Sequence, residues 1–440
     1  MIFLGKLKKN KRRIEKILDI FKSQRNPIKY KYPMIIDNNN LLTETGKKSL
    51  IENIKTLLYK EDSNIFEQID FENNRIYQEP LLFAYFNNNN SGRPALNTIL
   101  FGYIKPEIRP KQIFVETDIF GRIYLPNLGW FHTEKKEQVL MLKSKINNDF
   151  SLFLNGDNIK FKFEQLEVID GTNIELLKYP VSLLNQFYYD PYRNPIEVEI
   201  EAISKKHIFH LTKAWGLIKR LIPEQYSLME SVVSKNVVFN VSPLHRNSFA
   251  SLSANGIGFF NAYQKNYNEV FFIDDIAHQT GHVIFYSMIY DTRKFLKIDE
   301  NRTMETLRLA SEGVEDRNIR VIFHALYTYY SSLVCLNACL NANVFEDKKK
   351  HEALGRIGFY LIKMYKDLYL LENHKEFPNG SKDVFTAKGL IIFNSIKSTF
   401  KDIVEKWKIE KVLDFNMNNQ PYNFSYSKFV ELNPLEEQVC

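Results

Sequence analysis

The sequence predicts a mixed α+β fold that is mostly helical, with a β-rich middle region and a zincin-like strand–helix metal core. Three observations support this prediction. Apolar residues recur at helical spacing towards both ends of the chain, short β-like runs fill the middle, and two strand-like runs precede a helix with paired histidines. The chain has 440 residues, 44% of them hydrophobic and 25% charged, which is enough for several domains and excludes a disordered chain.

Residues 1–94 are predicted to form an N-terminal helical region. The run KKSLIENIKTLLYK (47–60) has apolar residues at helical spacing, and the Asn-rich stretch FNNNNSG (86–92) marks its boundary. Much of the net charge of +7 lies in GKLKKNKRRIEK (5–16). We interpret this run as a solvated arm, and we expect no nucleic-acid partner.

Residues 95–205 are predicted to form a β-rich region. Runs such as QIFVETDIFGRIYL (112–125) and PIEVEIEAI (195–203) are rich in β-forming residues and are separated by Gly, Asn, Asp and Pro. An extended ligand could add to a sheet edge here, so the region is a possible peptide-binding platform. A purely structural β layer is the alternative.

Residues 206–440 are predicted to form a helical metal-binding catalytic domain. The strand-like runs NVVFNVS (236–242) and GIGFFNA (256–262) precede the helix-like run IDDIAHQTGHVIFYSMIYD (273–291), which is the order of elements in zincin cores. A later apolar run, 321–345, is long enough to span a bilayer. Several polar side chains interrupt it, so it is predicted to be a buried helix and no membrane contact is expected.

The cysteine content predicts a cytoplasmic, reducing location. Cys335, Cys339 and Cys440 cannot supply a disulfide framework. The first two are four residues apart on a predicted helix, which is typical of buried thiols.

His278 and His282 are candidate metal ligands because residues four apart lie on the same face of a helix. Their spacing is that of the HExxH motif of zinc peptidases. Gln279 stands where a peptidase has its general base, and glutamine cannot accept the proton. The motif therefore disfavours hydrolysis and favours chemistry that needs only the metal and its open positions, as in non-haem iron oxygenases.

A third ligand is predicted downstream. Read as a helix, the stretch after residue 316 places Arg317, Arg320, His324, Tyr327 and Ser331 on one polar stripe. The imidazole suits a metal and the guanidinium groups suit a carboxylate. A buried helix with satisfied polar groups is the alternative to this site wall.

A carboxylate is the other candidate for the third ligand. Glu312 lies in LASEGVED, downstream of His282 on a helix-like stretch. Two histidines with this carboxylate would form the facial triad of non-haem iron enzymes.

Four segments together resemble the 2-oxoglutarate-dependent HExxH-type peptide β-hydroxylases, which modify ribosomally made peptides in natural-product biosynthesis. They are AWGLIKRLIPEQY, SFASLSANGIGFFNA, DIAHQTGHVIF and EDRNIRVIFHALYTYY, within residues 205–345. In that family an arginine stands seven residues before a downstream histidine and a tyrosine three residues after it. Arg317, His324 and Tyr327 have this spacing, which favours His324 over Glu312.

The resemblance implies a role for each candidate. The iron(II) ligands would be His278, His282 and His324. Arg317, with Arg320 as its substitute, would pair with the 2-oxoglutarate carboxylate, and Ser251 and Ser253 would lie on the strand beside the site. Gln279 and Tyr327 would act at the catalytic centre, with Gln279 hydrogen-bonding a bound ligand or orienting a histidine.

The expected function is therefore that of a non-haem iron(II), 2-oxoglutarate-dependent oxygenase that hydroxylates side chains of a ribosomally made precursor peptide, at the β-carbon. Two alternatives remain open. One is a catalytically inactive scaffold protein that binds a peptide through residues 95–205. The other is a zinc-dependent hydrolase that uses Glu312 as its third ligand and another group as base.

Overall fold

The computed structural model describes residues 32–88, 93–145, 149–308, 314–408 and 412–435. Helices and small sheets follow one another along the chain, so the predicted mixed α+β class is confirmed. The chain divides into a central unit, Leu42–Tyr290, and a C-terminal unit, which comprises the described residues from Asp291 onward and those before Leu42.

The helices are α1 (Tyr32–Glu61), α2 (Asn74–Tyr77), α3 (Pro80–Phe86), α4 (Leu96–Leu100), α5 (Glu201–Leu221), α6 (Pro223–Val232), α7 (Glu269–Met288), α8 (Ile319–Asn341), α9 (Asp347–Glu372), α10 (Ser381–Val384), α11 (Ala387–Trp407) and α12 (Tyr426–Leu432). Short 3-10 turns are formed by Ser63–Glu67, Phe101–Tyr103, Ser182–Phe187, Leu252–Ala254, Thr292–Lys294 and Val412–Asp414.

The strands are β1 (Gln112–Glu116), β2 (Arg122–Leu125), β3 (Gly129–Thr133), β4 (Val139–Ser144), β5 (Phe150–Leu154), β6 (Asp157–Ile159), β7 (Phe161–Glu164), β8 (Glu175–Leu176), β9 (Lys235–Phe239), β10 (Ile257–Asn261), β11 (Thr303–Arg308) and β12 (Val314–Asn318). They pair in the orders β1-β4-β5-β6, β2-β3-β7, β10-β9-β8 and β11-β12.

Strands β1 to β7 form two antiparallel sheets that share an apolar core. Exposed and buried residues alternate along β1, so that Ile113 and Val115 face inwards. They pack with Leu140 of β4, Leu152 of β5 and Phe131 of β3. The β-rich stretch predicted from alternation is therefore present within residues 95–205.

The third sheet is parallel, and β9 and β10 are buried along their whole length. Its side chains share one core with the early helices, including Leu50, Ile54, Leu82, Val237 and Phe259. The central unit therefore runs from 42 to 290 and does not follow the boundaries predicted at 94 and 205, because the early helices and the sheet bury their apolar faces together.

Helix α7 begins at a side-chain cap and ends against α1. Asn268 Oδ1 accepts a hydrogen bond from the Val270 amide (2.8 Å), which satisfies one of the unpaired donors of the first turn. Near the other end, a Cβ added to Gly46 would lie 1.6 Å from the carbonyl oxygen of Ser287. Glycine at position 46 therefore allows α1 to approach the backbone of α7.

A buried ion network joins the layers of the central unit. Lys235 of β9, 3% exposed, contacts carboxylate oxygens of Glu175 (2.6 Å) and Glu79 (3.2 Å). Tyr124 and Tyr103 donate hydrogen bonds to Glu175 (2.8 Å) and Glu79 (2.5 Å). Burial by itself would lower the pKa of Lys235, but the two carboxylates outweigh burial and raise it, so the ammonium stays charged.

We expect Lys235→Met to lower the free energy of unfolding by about 3–5 kcal/mol, because it leaves two buried carboxylates without their cation. Lys178→Met is the matched control, since Lys178 also pairs with two carboxylates but is partly exposed. It should cost about 1 kcal/mol or less. Urea unfolding at neutral pH measures the free energy of unfolding of both variants. Equal losses would show that the buried ion network stabilises the fold no more than a partly exposed one.

His207 is a buried histidine on the inner face of α5. It is 1% exposed, and neither ring nitrogen has a hydrogen-bond partner in the described part of the chain. Its ring lies 5.7 Å from that of Phe272 on α7. Burial, reinforced by Lys206 and His210, lowers the pKa of His207 from 6.5 to about 4, so its imidazole is neutral in the folded protein at neutral pH.

This lowered pKa predicts acid sensitivity. The unfolded chain binds the His207 proton near pH 6.5 and the folded chain near pH 4, so stability is full above 6.5 and falls as the pH drops towards 4. The loss amounts to about 3 kcal/mol. His207→Leu should remove this part of the pH dependence in denaturant unfolding between these pH values. The exposed control His245→Leu should retain it, and an unchanged slope in His207→Leu would contradict the assignment.

The C-terminal unit is largely helical. Helix α8 packs on α9 and α11, and a hydrogen bond from Trp407 Nε1 to Asn337 Oδ1 (3.0 Å) accounts for one polar residue in its apolar run. Among the described helices, α8 is long and apolar enough to cross a membrane by length and composition, yet 78% of its most apolar window is buried. This burial agrees with the predicted buried helix. Cys335 and Cys339 are buried on it, and Cys440 lies outside the described residues.

Candidate functional site

Helix α7 carries the histidine pair, and its exposure pattern distinguishes it from an ordinary core helix. All of its residues are buried except His278, His282 and Tyr286. These three are spaced four residues apart and therefore form one stripe along the helix. The partly exposed side chains of α7 are therefore two imidazoles and a phenol.

The two imidazoles are close enough to act together. Their ring centroids are 5.0 Å apart with planes inclined by 70°. Burial, followed by the neighbouring His278, lowers the pKa of His282 well below its usual value. The neutral form of imidazole is the one that binds metal ions, so this environment suits a ligand pair.

Gln279, between the histidines, is 3% exposed and held in one orientation. Its Nε2 donates to Asp275 Oδ1 (3.0 Å), one helical turn earlier. Asp275 Oδ2 in turn accepts from the Ser248 hydroxyl (2.5 Å), whose oxygen accepts from the Asn261 amide (2.8 Å). The amide of Gln279 is thus fixed by a chain of hydrogen bonds that reaches strand β10.

Because its amide nitrogen is bound to Asp275, Gln279 keeps its carbonyl oxygen as a buried acceptor. Gln279 Oε1 is buried and has no hydrogen-bond partner in the described part of the chain. A buried carbonyl oxygen without a donor is costly, which indicates a place for a donor supplied by a ligand or by water. A glutamate at 279 would bring its carboxylate against that of Asp275, so the surroundings suit glutamine rather than the peptidase base.

Ser251 and Ser253 do not lie on a strand. Ser251 caps the 3-10 turn Leu252–Ala254 and Ser253 lies within it, and Ser251 Oγ accepts a hydrogen bond from the Ser253 amide (3.2 Å). The predicted strand position is wrong, because a serine that bonds to the backbone two residues on favours a turn over a sheet ladder. Their proposed role beside a cofactor stays a prediction.

In the C-terminal unit, Arg317 lies on β12 and not on the helix. Asn318 caps α8 by accepting from the Val321 amide (2.9 Å), so the helix begins after Arg317. The Arg317 guanidinium forms a bidentate ion pair with the Asp367 carboxylate (2.7 and 2.8 Å). It also contacts Glu305 (3.2 Å). A co-substrate carboxylate at Arg317 would have to displace a carboxylate that is already bound.

The other predicted residues of this stripe do share α8. Arg320 is exposed and lies 3.3 Å from a carboxylate oxygen of Glu300. His324 is partly buried, one turn further on. Tyr327 is buried, and burial first, then Tyr330, raises the pKa of its phenol well above the usual value, so it is a neutral donor.

Glu312 and His324 are the two predicted alternatives for the third metal ligand. Glu312 lies outside the described residues, whereas His324 lies on α8. Within each unit, the described side chains include no group of three His, Cys, Asp or Glu residues arranged to hold a metal. The histidine pair of α7 belongs to the central unit, and His324 of α8 belongs to the C-terminal unit.

Sequence reasoning missed two residues of α7. Tyr286 follows His282 by four residues, and its ring centroid lies 6.4 Å from that of His282. Asp275 precedes Gln279 by four residues. The four-residue spacing that identified the histidine pair also identifies both, had it been extended one turn in each direction.

No protein-family model matches the chain, and no curated protein matches it at a significant level.

The Arg317–Asp367 pair gives a test of what Arg317 does. Because Asp367 is buried, Arg317→Leu should lower the free energy of unfolding by about 3–5 kcal/mol, and the double variant Arg317→Leu/Asp367→Leu should recover most of that loss. The exposed control Arg320→Leu should cost about 1 kcal/mol or less. Denaturant unfolding of the purified variants measures this, and a mild effect of Arg317→Leu would reopen its role as a carboxylate receptor.

Proposed function

We propose that the protein is a cytoplasmic, non-haem iron(II), 2-oxoglutarate-dependent oxygenase that hydroxylates side chains of a ribosomally made precursor peptide, at the β-carbon. One observation carries the proposal: α7 is buried on every side except for a stripe of His278, His282 and Tyr286. Two imidazoles four residues apart on one partly exposed face are the arrangement that a metal site with open positions uses.

The donor set fits ferrous iron in part. His278 and His282 would hold the ion, with His324 as the proposed third ligand from the spacing of the family motif. When bound, the iron would supply redox chemistry with dioxygen and 2-oxoglutarate. The zincin-like metal core remains part of this proposal, since the strands before α7 are parallel and buried.

The chain's own residues have separable roles. Gln279 Oε1 would accept a hydrogen bond from a ligand at the site, while Asp275 keeps that oxygen in place through Nε2. For the 2-oxoglutarate carboxylate, Arg320 is the better candidate, because Arg317 is engaged by Asp367. The contact of Arg320 with Glu300 is partly exposed and therefore weak enough to be replaced.

The Gln279–Asp275 contact also separates this proposal from the alternatives. A zinc hydrolase that uses Glu312 would need another base, since Gln279 cannot take a proton. A scaffold protein without catalysis would need neither the paired, partly exposed histidines nor the fixed amide. Both alternatives predict no succinate formation.

The test is anaerobic loading with iron(II) and 2-oxoglutarate, then exposure to oxygen with a precursor peptide encoded beside the gene. We expect about one iron per chain, succinate release and a peptide mass gain of one oxygen atom. His278→Ala should lose the iron, and the exposed-histidine control His245→Ala should keep it. Absence of stoichiometric metal from the wild type would favour the scaffold, and peptide cleavage with zinc would favour the hydrolase.

Gln279→Glu tests the role of the amide. It places two carboxylates together at a buried position, so we expect a loss of about 1–3 kcal/mol in stability. We also expect oxygenase activity to fall about 10–100-fold. Gln279→Met, which cannot accept from a ligand, is the comparison for activity without added charge. Zinc-dependent peptide cleavage gained by Gln279→Glu would show instead that the motif descends from a working peptidase.

A further inference from the structure

The outward surface of α5 carries positive charge around one exposed aromatic ring. Phe209 is 67% exposed, although phenylalanine is one of the residue types most often buried. Exposed cations lie on the same side of the helix: Lys205 four residues before Phe209, Lys213 four residues after it, and Arg220 in the last turn. We define the basic face of α5 as Lys205, Lys206, Phe209, Lys213, Gly216, Lys219 and Arg220.

Much of this charge is not used within the described part of the chain. Lys205, Lys206 and Arg220 form no ion pair there. Lys213 pairs with the buried carboxylate of Glu269 (2.7 Å), and Lys219 donates to the carbonyl oxygen of Gly171 (2.6 Å). The remaining cations therefore offer their charge to solvent.

Helix stability does not explain where these charges lie. Cations near the C-terminal end of a helix are favoured by its dipole, which accounts for Lys219 and Arg220. Lys205 and Lys206 lie near the opposite end, where the dipole gives them no advantage. Neighbouring like charges on one face also repel each other.

Gly216 is a second, independent sign that this face meets a partner. It lies inside α5, where glycine costs about 1 kcal/mol relative to alanine. A Cβ added there would meet nothing within 4 Å, so no close packing within the protein requires the glycine. The missing side chain leaves a shallow hollow two turns beyond Phe209 on the same face.

We infer that the basic face of α5 docks an acidic peptide segment. Carboxylates of the segment would pair with Lys205, Lys206 and Arg220, and an apolar side chain would pack on Phe209 beside the hollow at Gly216. This inference deepens the proposed function and rests on it, because an enzyme that modifies one residue of a precursor peptide needs to hold another part of that peptide.

The shape of the face favours a peptide over a nucleic acid. From residue 205 to residue 220 the helix is about 22 Å long, which matches a short peptide segment. Single-stranded nucleic acid is bound by several aromatic rings on which successive bases stack, whereas this face offers one. The apolar anchor flanked by cations fits a peptide with acidic and apolar residues.

The experiment measures binding of a fluorescent synthetic Glu/Leu-rich peptide of about 15 residues to the full chain. Excess EDTA is present and 2-oxoglutarate is omitted, so the result does not depend on metal loading or catalysis. The test variants are Lys205→Glu/Lys206→Glu and Phe209→Ala. The matched control is Lys388→Glu/Lys401→Glu, which changes the same charge at exposed lysines of α11, outside the basic face of α5 and outside residues 95–205. Circular dichroism and thermal unfolding confirm that each variant is folded.

We expect salt-sensitive binding that weakens roughly tenfold or more in Lys205→Glu/Lys206→Glu and about threefold in Phe209→Ala, with the control within about twofold of the wild type. A Gln/Leu-rich peptide of the same length should bind much less tightly. The inference is overturned if the wild type does not bind the acidic peptide or if the control loses as much affinity. It is also overturned if a 15-nucleotide oligothymidine binds more tightly with the same lysine dependence. A failed metal assay with intact peptide binding would refute the oxygenase and leave the docking face standing.

Discussion

The contact of Lys235 with Glu79 and Glu175 holds the central unit together. Glu79 caps α3, Glu175 lies on β8, and the tyrosines that complete the hydrogen bonds come from the 3-10 turn Phe101–Tyr103 and from β2. A single buried cation thus connects the early helices, the antiparallel sheets and the parallel sheet. The network stabilises the fold because its ammonium, carboxylate and phenol groups pair with one another, whereas each of them would be costly to bury alone.

Helix α7 also buries a charged group that is paired with hydrogen-bond donors. Asp275 is tolerated beside buried residues because Ser248 and Gln279 donate to it. The amide at 279 is then the only side-chain type of that size that both donates to a carboxylate and offers an acceptor to a ligand. The glutamine that replaces the glutamate of the HExxH motif is therefore coupled to Asp275, one helical turn earlier.

Local patterns predicted the mixed fold class and several of its elements. Periodicity located α7, α8 and the strand-rich stretch, and helical spacing paired His278 with His282. Arg317 was placed on the wrong element because β12 is defined by pairing with β11, which a helical reading of one segment cannot detect. Its partner Asp367 is 50 positions away, and such distant pairings are decided by tertiary packing.

The backbone contact of Gly46 with Ser287 bears on how the central unit folds. It joins residues from the two ends of that unit, so the chain between them must be synthesised before α1 and α7 can meet. Contacts of such high sequence separation form slowly, because the entropy of closing the loop is lost before the contact contributes. Until then the apolar face of α1 has no partner on α7, because the helix that carries the histidine pair is the last element of the central unit to be synthesised.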